Sequence, residues 1–457
     1  MDRIIFHIDV NSAFLSWTAV QRLSRGDTLD IRTVPSVVSG DPNDRRSIVT
    51  AKSIPAKKYG INTAEPVSMA MRKCPNLIVV GGDWEWYKKC SEAFIAICRT
   101  YSPILQQFSI DECFIDMTGR TDLKHAVDMA NRLREDIKSR LGFTVNVGIG
   151  SNKLLAKMAS DFEKPDKVHT LWQSEVEEKM WPLPVGDLLW VGKKSVEKLT
   201  AYGIKTIGQL AKTPENVLLH IFGQKGAKST LQSANGIDDS PVSTEEEEAK
   251  SYSAERTFQE DISDPEKLDR QLFNVACVVA HRIRRDHFAA SNVSVMVKTK
   301  DFESRSKQHM MTYPTDVTAV ILNEARRLIP EVWDRVTPLR QVGLGVSRLT
   351  HDMPLTLFED EKMEYYRQWD ADYDRKMEEQ EKKDRHYRDG RSKALMFSYA
   401  TGEQALRAAK NSVKGGNGCT FERNPLPDGT DCFEVKDSEG KAVELHMIVK
   451  NLTGAVL

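Results

Sequence analysis

Two adjacent carboxylates, Asp111 and Glu112, interrupt the run 109–116, which otherwise has the pattern of a buried strand. Adjacent side chains on a regular strand point to opposite faces, so both acids can serve one site only at a strand end or a hairpin turn. Neighbouring carboxylates also repel each other unless a cation or a proton balances them. The pattern is compatible with a divalent-metal site, and also with a solvated acid pair on a hairpin.

Asp9 provides a third carboxylate, at the end of the apolar run 4–8. Such a run is typical of a central strand. Three carboxylates can hold two hard divalent cations, which would activate a 3′-hydroxyl and stabilise the pyrophosphate leaving group of a nucleoside triphosphate. Asp116 lies four residues beyond Glu112 on a strand that leaves the site, and we interpret it as structural.

The elements around these acids predict a sheet covered by helices, with the acids at strand ends. A second strand is predicted at 143–150, and helices are predicted at about 84–100, 122–140 and 151–161. Asn11 or Ser12 is predicted to cap the first helix, and Ser151 the helix after the second strand.

The size and composition exclude several classes of protein. A chain of 457 residues is expected to have more than one domain, and a net charge of −1 gives no overall sign of a nucleic-acid partner. The seven cysteines suit neither a zinc site nor a disulfide framework, which indicates reduced thiols. Neither a signal peptide nor a membrane-spanning run is apparent, so we expect a cytoplasmic protein without a membrane partner.

The region 171–240 is predicted to be helical, and its centre resembles a helix-hairpin-helix. There, Gly192 and Lys193 could present backbone N–H groups and an ammonium to a DNA phosphate. The alternative is an ordinary helix pair with a glycine turn. An acidic linker follows at 243–250.

The last third of the chain divides into three parts. Residues 251–350 are predicted to be α+β, with basic residues that form either a phosphate-binding surface or a solvated face: Arg282, Arg284, Arg285, Arg305 and Lys307. Residues 360–390 indicate an exposed helix or a partly disordered connector. Residues 393–457 predict one helix, at about 403–412, and several strands, to which we attach no chemistry.

Four motifs follow one another along the chain: Phe6-His7-Ile8-Asp9-Val10-Asn11-Ser12-Ala13-Phe14, Ala56-Lys57-Lys58-Tyr59-Gly60, Ser109-Ile110-Asp111-Glu112, and Val147-Gly148-Ile149-Gly150-Ser151-Asn152-Lys153 through Ala156-Lys157 to Lys164-Pro165. Their order resembles that of the Y-family DNA polymerases, the lesion-bypass enzymes of the bacterial DNA polymerase IV and V type. The resemblance covers residues 1 to about 350.

This resemblance implies an α/β multidomain fold and a division of the chain. The α+β palm would comprise 1–26 and 79–170, the fingers 27–78, the helical thumb with its helix-hairpin-helix 171–242, the linker 243–250, the α+β little finger 251–350, a clamp-peptide-like segment and charged connector 351–392, and a C-terminal α+β region of unknown role 393–457.

The resemblance also implies roles for the acids and their neighbours. Asp9 and Asp111 would hold both metals, Glu112 would help bind the catalytic metal near the primer 3′-hydroxyl, and the Val10 carbonyl would bind the nucleotide-side metal. The ions would be two Mg²⁺, with Mn²⁺ as a possible substitute. Phe14 would be the steric gate against a 2′-hydroxyl, although it also fits the apolar face of its helix as a core residue.

Lys57 and Lys164 match the positions that hold the triphosphate, although Lys57 alone would be taken for a solvated lysine. Many members carry Tyr and Arg where this chain has Ile54 and Lys57. Ile54 cannot donate a hydrogen bond and Lys57 lacks the bidentate fork of Arg, so a weaker or rearranged triphosphate grip is expected. Asn11 replaces the Asp that is frequent in the polymerase IV type and removes a charge near the site.

The run Pro354-Leu355-Thr356-Leu357-Phe358 resembles the short peptide by which bacterial polymerases dock on the sliding clamp. The apolar anchors Leu355, Leu357 and Phe358 are present, but Pro354 replaces the usual Gln. The alternative is a hydrophobic segment that merely leaves the preceding domain.

The expected function is therefore low-fidelity, template-directed DNA synthesis across lesions without proofreading. The expected partners are primer–template DNA, deoxynucleoside triphosphates and the sliding clamp, and the protein is expected to be a monomer. Two alternatives are another palm-type enzyme, such as a nucleotidyl cyclase, and a non-catalytic scaffold that binds DNA or the clamp. The hairpin at Gly192 argues against the cyclase, and the intact acids argue against the scaffold.

Overall fold

The computed structural model of the protein describes residues 3–245, 248–352, 361–389, 395–399, 402–415, 418–425, 431–436, 438, 440 and 442–448. The chain divides into two compact units. One unit comprises Met1–Pro42, Ser47–Glu246 and Lys393–Leu457, and the other comprises Asn43–Arg46 and Glu247–Ser392.

The first unit contains a five-stranded sheet, a small three-stranded sheet and their helices. In chain order these elements are β1 (Ile5–Val10), α1 (Ala13–Ser24), β2 (Ser36–Val38), β3 (Ala51–Lys52), α2 (Ile54–Lys57), α3 (Val67–Lys73), β4 (Ile78–Val80), α4 (Trp84–Tyr101), β5 (Leu105–Gln107), β6 (Glu112–Asp116), α5 (Ala126–Leu141), β7 (Val145–Gly150), α6 (Lys153–Ser160) and β8 (Val168–Leu171).

The larger sheet has the strand order β5-β6-β1-β7-β8, with β1 antiparallel to both of its neighbours and β8 parallel to β7. Phe6 and Ile8 pack into the same core as α4 and α5, whereas Ile5 packs with Ala156 of α6 on the other face. Because helices cover both faces, β1 is a nearly continuous apolar run rather than an alternating one.

The close packing of α6 on β7 depends on glycine. A Cβ atom on Gly148 would lie 2.0 Å from the carbonyl oxygen of Ala156. Only glycine allows the two backbones to approach this closely, and α6 therefore reaches the strands that carry the acids.

Two predicted helix caps are wrong. Ser12 precedes α1 with φ of 48° and makes no capping hydrogen bond through its side chain. The amide of Asn11 instead bonds outside the helix, to Thr144, Asn146 and Asp166. At α6 the cap is not Ser151 but the next residue, Asn152, whose side chain accepts a hydrogen bond from the Leu155 amide at 2.8 Å.

The small sheet has the strand order β3-β2-β4, and α2 and α3 belong to the same compact core. After β8 the chain is helical, as predicted. Its elements are short turns at Gln173–Glu175, Val176–Met180 and Val185–Asp187, followed by α7 (Lys193–Ala201), α8 (Ile207–Ala211) and α9 (Glu215–Ala234), which is kinked at Gly223.

The second unit is a four-stranded antiparallel sheet with helices. Its elements are β9 (Ser251–Ile262), α10 (Pro265–Arg285), β10 (Ala289–Thr299), β11 (Ser304–Thr315), α11 (Thr318–Val332), β12 (Leu339–Thr350) and α12 (Glu361–Asp389). The strand order is β11-β10-β12-β9, and α10 and α11 share one apolar core with the sheet.

The helix α12 agrees with the predicted helix, but it is not fully exposed, because part of it packs against α10 and α11 within the second unit. Asp370 is 3% exposed and accepts hydrogen bonds from the backbone amide and hydroxyl of Thr318. Arg284 makes a bidentate contact with Asp374, at 2.7 and 2.8 Å. Arg284, which the sequence grouped with the basic residues of a possible phosphate surface, therefore serves this contact.

The C-terminal part of the chain belongs to the first unit and contains β13 (Leu395–Tyr399), α13 (Gly402–Gly415), β14 (Thr420–Pro425), β15 (Asp431–Lys436) and β16 (Ala442–Ile448). Its sheet has the strand order β13-β16-β15-β14. Ala405 and Phe433 pack into the same core as α5. The predicted helix and strands of this region are present.

Candidate active site

The three predicted acids meet at one end of the large sheet. Asp9 on β1 lies directly opposite Glu112 on β6. Asp111 immediately precedes β6, and its carbonyl accepts a hydrogen bond from the Val10 amide at 3.0 Å. The adjacent acids thus occupy a strand end, which is the position that the sequence requires if both are to serve one site.

Glu112 is held by two side chains from other elements. Its Oε2 lies 3.0 Å from Nε2 of His7 and 2.5 Å from Nζ of Lys157. His7 is fully buried, and its Nδ1 lies 2.8 Å from Oγ of Ser160. Burial opposes ionisation of Glu112, but the contacts with His7 and Lys157 outweigh it and lower the pKa of Glu112 to about 2. Burial also lowers the pKa of His7.

Asp111 has the opposite electrostatic environment. Burial raises its pKa, and the negative charges of Asp9 and Glu112 raise it further. The hydroxyl of Ser109 donates a hydrogen bond to its Oδ1 at 2.6 Å. Of the two adjacent acids, Asp111 is therefore the one whose ionised form is less favoured.

Lys164 donates to the carboxylate of Asp9, and its ammonium also lies 2.7 Å from Asp161. Burial alone would lower the pKa of Lys164, but the two carboxylates raise it. Lys164 lies in the loop between α6 and β8, so its position depends on how that loop is held.

A cavity of about 800 Å³ lies in front of the acids. It brings together most of the residues that the sequence predicts for the site: Asp9, Val10, Phe14, Lys57, Asp111 and Lys164. Ile54 and Asn11 also line it, whereas Glu112 does not. One cavity therefore joins carboxylates, cations and an aromatic ring that lie up to 155 residues apart in the chain.

Phe14 is half-buried at the wall of this cavity. Its ring stacks on Tyr87 with centroids 4.8 Å apart and contacts Trp17 at 5.9 Å. Tyr87 is itself held by a hydrogen bond between its hydroxyl and Thr18, at 2.6 Å. Phe14 is thus both a packed residue and a rigid part of the cavity wall, so the two interpretations of Phe14 do not exclude each other.

The donor atoms at this site suit a hard divalent cation. The carboxylates of Asp9 and Asp111 lie at one cavity, which Val10 also lines, and a bound cation would offset the burial and charge repulsion that raise the pKa of Asp111. No three carboxylate, imidazole or thiol groups form a ready-made ligand cluster in the part of the chain that the structure describes. Glu112 is paired instead with His7 and Lys157, and Asp9 with Lys164.

The predicted hairpin differs in one respect from the expected arrangement. Gly192 immediately precedes α7, whose first residue is Lys193. The turn that joins α7 to α8 is instead made by Gly203, with φ of 79°. Gly192 and Lys193 are exposed, and the first amides of a helix lack intrahelical partners. A phosphate contact at this position would therefore use the start of α7.

No role was predicted from the sequence for His7, Lys157 or Arg32. His7 precedes Asp9 by two residues and so shares its face of β1, a signal that was available. Lys157 belongs to one of the family motifs, but its contact with Glu112, 45 residues away, was not predicted. Arg32 lines the cavity and is fixed by Asp30 and by the carbonyl of Gly142.

The predicted clamp residues Leu355, Leu357 and Phe358 lie outside the described residues. None of the described helices is long and apolar enough to cross a bilayer. The cysteines whose side chains are described are free: Cys74, Cys90, Cys98, Cys113, Cys277 and Cys419.

Two family models match the chain. The model of the impB/mucB/samB family matches residues 8–161, and the model of its C-terminal domain matches residues 249–357. The first match contains the end of β1, all of β6 and β7, and the three acids. The second contains the sheet of the second unit.

Curated relatives match over the same part of the chain. A DNA polymerase IV of Clostridium acetobutylicum is 44% identical over 349 residues, which are 76% of this chain and 88% of that protein. DNA polymerase IV 1 of Bacillus subtilis is 35% identical over 343 residues, 75% of this chain and 81% of that protein. A solved Y-family DNA polymerase chimera has a TM-score of 0.67 at 20% identity, covering 76% of this chain and all of that one.

These relatives favour neither a nucleotidyl cyclase nor a non-catalytic scaffold. The α/β multidomain fold agrees with the solved neighbour, and the conclusion about function depends on the curated relatives and the family models. The chain belongs to the impB/mucB/samB family and is a Y-family translesion DNA polymerase of the bacterial DNA polymerase IV type.

Proposed function

We propose that the cavity in front of the acids is the site of nucleotidyl transfer from a deoxynucleoside triphosphate to a primer 3′-hydroxyl. The observation that carries this proposal is the composition of the cavity wall, where Asp9 and Asp111 face the same space as Lys57 and Lys164. Carboxylates suit divalent cations and lysines suit a triphosphate, and nucleotidyl transfer needs both in one place.

The family requires a divalent metal, and we propose two Mg²⁺ ions, for which Mn²⁺ can substitute. Asp9 and Asp111 would hold both ions, the Val10 carbonyl would hold the nucleotide-side ion, and Glu112 would help bind the ion near the primer end. When bound, these ions would favour ionisation of the primer hydroxyl and neutralise charge on the pyrophosphate.

The remaining residues bind and orient the nucleotide. Lys57 and Lys164 would contact the triphosphate oxygens, because both residues line the cavity. The flexible stem of a lysine lets its ammonium group reach a phosphate oxygen. For this, Lys164 must exchange its contact with Asp9 for one with phosphate. Phe14 would lie against C2′ of the sugar and exclude a ribose hydroxyl. Its packing on Tyr87 would hold the ring rigidly enough for this role.

The DNA would be held outside the cavity by segments that contact phosphates. In this proposal residues 1–26 and 79–170 are the palm, 27–78 the fingers, 171–242 the thumb and 251–350 the little finger. Gly192 and Lys193 would contact one strand at the start of α7. Contacts of this kind do not read the base sequence, and they weaken as the salt concentration rises. The resemblance to the family further implies distributive synthesis of low fidelity, without proofreading.

The test is primer extension by Asp111→Asn. This change preserves the size of the side chain and removes one carboxylate charge, so extension should fall by at least about 100-fold. The matched control is Asp116→Asn, which alters an acid on the same strand that does not line the cavity and bonds to the Thr118 amide at 2.9 Å. Extension by Asp111→Asn at the wild-type rate would show that the metal assignment is wrong, and equal loss in both variants would indicate misfolding.

We further propose that the enzyme acts as a cytoplasmic monomer that docks on the sliding clamp through Leu355, Leu357 and Phe358. The support is the apolar pattern of this segment and the absence of disulfides among the six cysteines whose side chains are described. Replacing Leu357 and Phe358 by Ala should abolish stimulation by the clamp while basal extension persists. Unchanged stimulation would reject the docking role.

A further inference from the structure

Two buried carboxamides, those of Asn11 on the loop after β1 and Asn146 on β7, are hydrogen-bonded to each other beside the cavity, which Asn11 also lines. We propose that this Asn11–Asn146 pair is a positioning unit that fixes the loop 160–167 and thereby sets the position of Lys164 against the triphosphate. The inference rests on the proposed role of Lys164 as a triphosphate ligand and assigns two further residues to that function.

Asn146 is fully buried and lies directly opposite Asp9 in the pairing of β1 with β7. Its Nδ2 donates to the carbonyl oxygens of Ser160, at 3.0 Å, and Glu163, at 2.6 Å. Its Oδ1 accepts from Nδ2 of Asn11 at 3.1 Å and, more weakly, from the Lys167 amide at 3.4 Å. The carboxamide thus uses both donor positions and both acceptor positions.

Asn11 completes the attachment on the other side of the loop. Its Oδ1 accepts from the hydroxyl of Thr144 and from the backbone amide of Asp166, both at 2.9 Å. The two carboxamides therefore bind the loop at two carbonyls before Lys164 and at two amides after it. Only Lys164 and Pro165 lie between these attachments, and both line the cavity.

A purely structural explanation must also be considered, because buried polar groups normally find partners. Two observations point beyond it. The attachments bracket the residue whose ammonium reaches Asp9, rather than being spread along the loop. In addition, the carboxylate of Asp166 is fixed separately by Arg134, at 2.5 Å, and Lys138, at 2.9 Å. Arg134 and Lys138 therefore already attach the loop to α5. The amide pair adds contacts on either side of Lys164 and so constrains the segment that carries it.

The pair is coupled through a single amide–amide hydrogen bond. Asn11→Asp preserves the volume of the side chain and both of its acceptor functions, but an aspartate cannot donate to Oδ1 of Asn146. Two oxygens would then face each other, and relief of that contact by rotation of the Asn146 carboxamide would withdraw its donors from the Ser160 and Glu163 carbonyls. One conservative change should therefore loosen the whole loop.

The experiment combines two readouts on Asn11→Asp, Lys164→Met and the double variant. The first is amide hydrogen exchange in the protein without substrates, where Asn11→Asp should accelerate exchange about tenfold at Lys167, whose amide would lose its acceptor on Asn146. The second is the dissociation constant of the correct deoxynucleotide on primer–template DNA with a dideoxy-terminated primer, which should rise about fivefold. Asn131→Asp, on the surface of α5, is the matched control and should change neither.

The double variant separates positioning from other effects. If the pair acts through Lys164, Asn11→Asp should change nucleotide affinity by less than about twofold in the Lys164→Met background. The charge added by Asn11→Asp would act in either background, so fully additive effects, or unchanged amide exchange, would overturn the inference. Unchanged affinity in Lys164→Met would instead reject the proposed role of Lys164 itself. If Asn11→Asp fails to fold, Asn146→Ser removes the same attachments and takes its place.

Discussion

The ammonium nitrogen of Lys157, on α6, lies 2.5 Å from Oε2 of Glu112, on β6. Lys157 is only 14% exposed and does not line the cavity, whereas Lys164, the partner of Asp9, does. We therefore propose that the two cations differ in function. Lys157 would keep Glu112 ionised and oriented, while Lys164 would leave Asp9 for a phosphate when a divalent cation takes its place.

The first prediction concerns the pH dependence of stability. The folded-state pKa of Glu112, about 2, lies below its unfolded value, so this group stabilises the protein above about pH 4.5 and loses that effect as the pH falls toward 2. Lys157→Met should raise the pKa of Glu112 and lower the free energy of unfolding at pH 7 by about 2 kcal/mol. Urea unfolding at pH 7 and pH 3 should show a smaller difference from wild type at pH 3.

The control for this prediction is Lys88→Met, which breaks an exposed ion pair with Glu85 on α4. Exposed pairs contribute about 0 to 1 kcal/mol, so this variant should differ little from wild type at either pH. A loss that is equal for Lys157→Met at both pH values would mean that packing of the lysine stem, and not the charge of Glu112, is responsible.

The second prediction concerns discrimination between sugars. Phe14→Ala removes the ring at the cavity wall, so ribonucleotide incorporation relative to deoxynucleotide incorporation should increase by about tenfold or more. The measurement is single-nucleotide insertion with matched ribonucleoside and deoxynucleoside triphosphates. Phe108→Ala removes another partly exposed ring that does not line this cavity, and it should leave the ratio unchanged. An unchanged ratio in Phe14→Ala would make Phe14 only a packing residue.

The third prediction concerns the triphosphate. Lys57→Ala should raise the KM for deoxynucleotides about tenfold, as expected for the loss of one charge-assisted contact. Lys58→Ala, its exposed neighbour that does not line the cavity, is the matched control. Steady-state insertion with varied nucleotide concentration distinguishes the two variants. Equal effects of both would indicate a general electrostatic contribution instead of a specific grip.

The sequence predicted the acids because local rules determine where a strand ends. Asp9 terminates an apolar run and Asp111 precedes one, so both could be assigned to the same end of a sheet. Other contacts around the site were not predictable in the same way. Lys157 contacts Glu112 across 45 residues, and Asn11 contacts Asn146 across 135 residues. Such contacts depend on the pairing of strands and on the packing of α6.

The contacts of Arg284 also show that partners distant in the chain cannot be predicted from local sequence. A cluster of basic residues near a strand is compatible with phosphate binding, and composition alone cannot identify a partly buried partner, Asp374, 90 residues away. The charged residues of α12 were expected to be solvated for the same reason. Their hydrophobic neighbours Trp369 and Tyr373, which stack with centroids 5.5 Å apart, are the signal that could have predicted a packed helix.

The fourth prediction concerns this packed helix, which begins beyond the residues that the family model matches. Arg284 lies between Asp374 and the buried Asp370, and Trp369 packs on Phe273 of α10 at 5.7 Å. Arg284→Met should leave both carboxylates without their guanidinium and lower the free energy of unfolding of the second unit by about 3 kcal/mol. Amide hydrogen exchange should increase more in α12 than in the sheet of the second unit.

The control is Arg326→Met, which breaks an exposed ion pair between Arg326 of α11 and Asp269 of α10. This variant should lower the free energy of unfolding by less than about 1 kcal/mol. Unchanged exchange in α12 after Arg284→Met would mean that the aromatic contacts alone hold the helix.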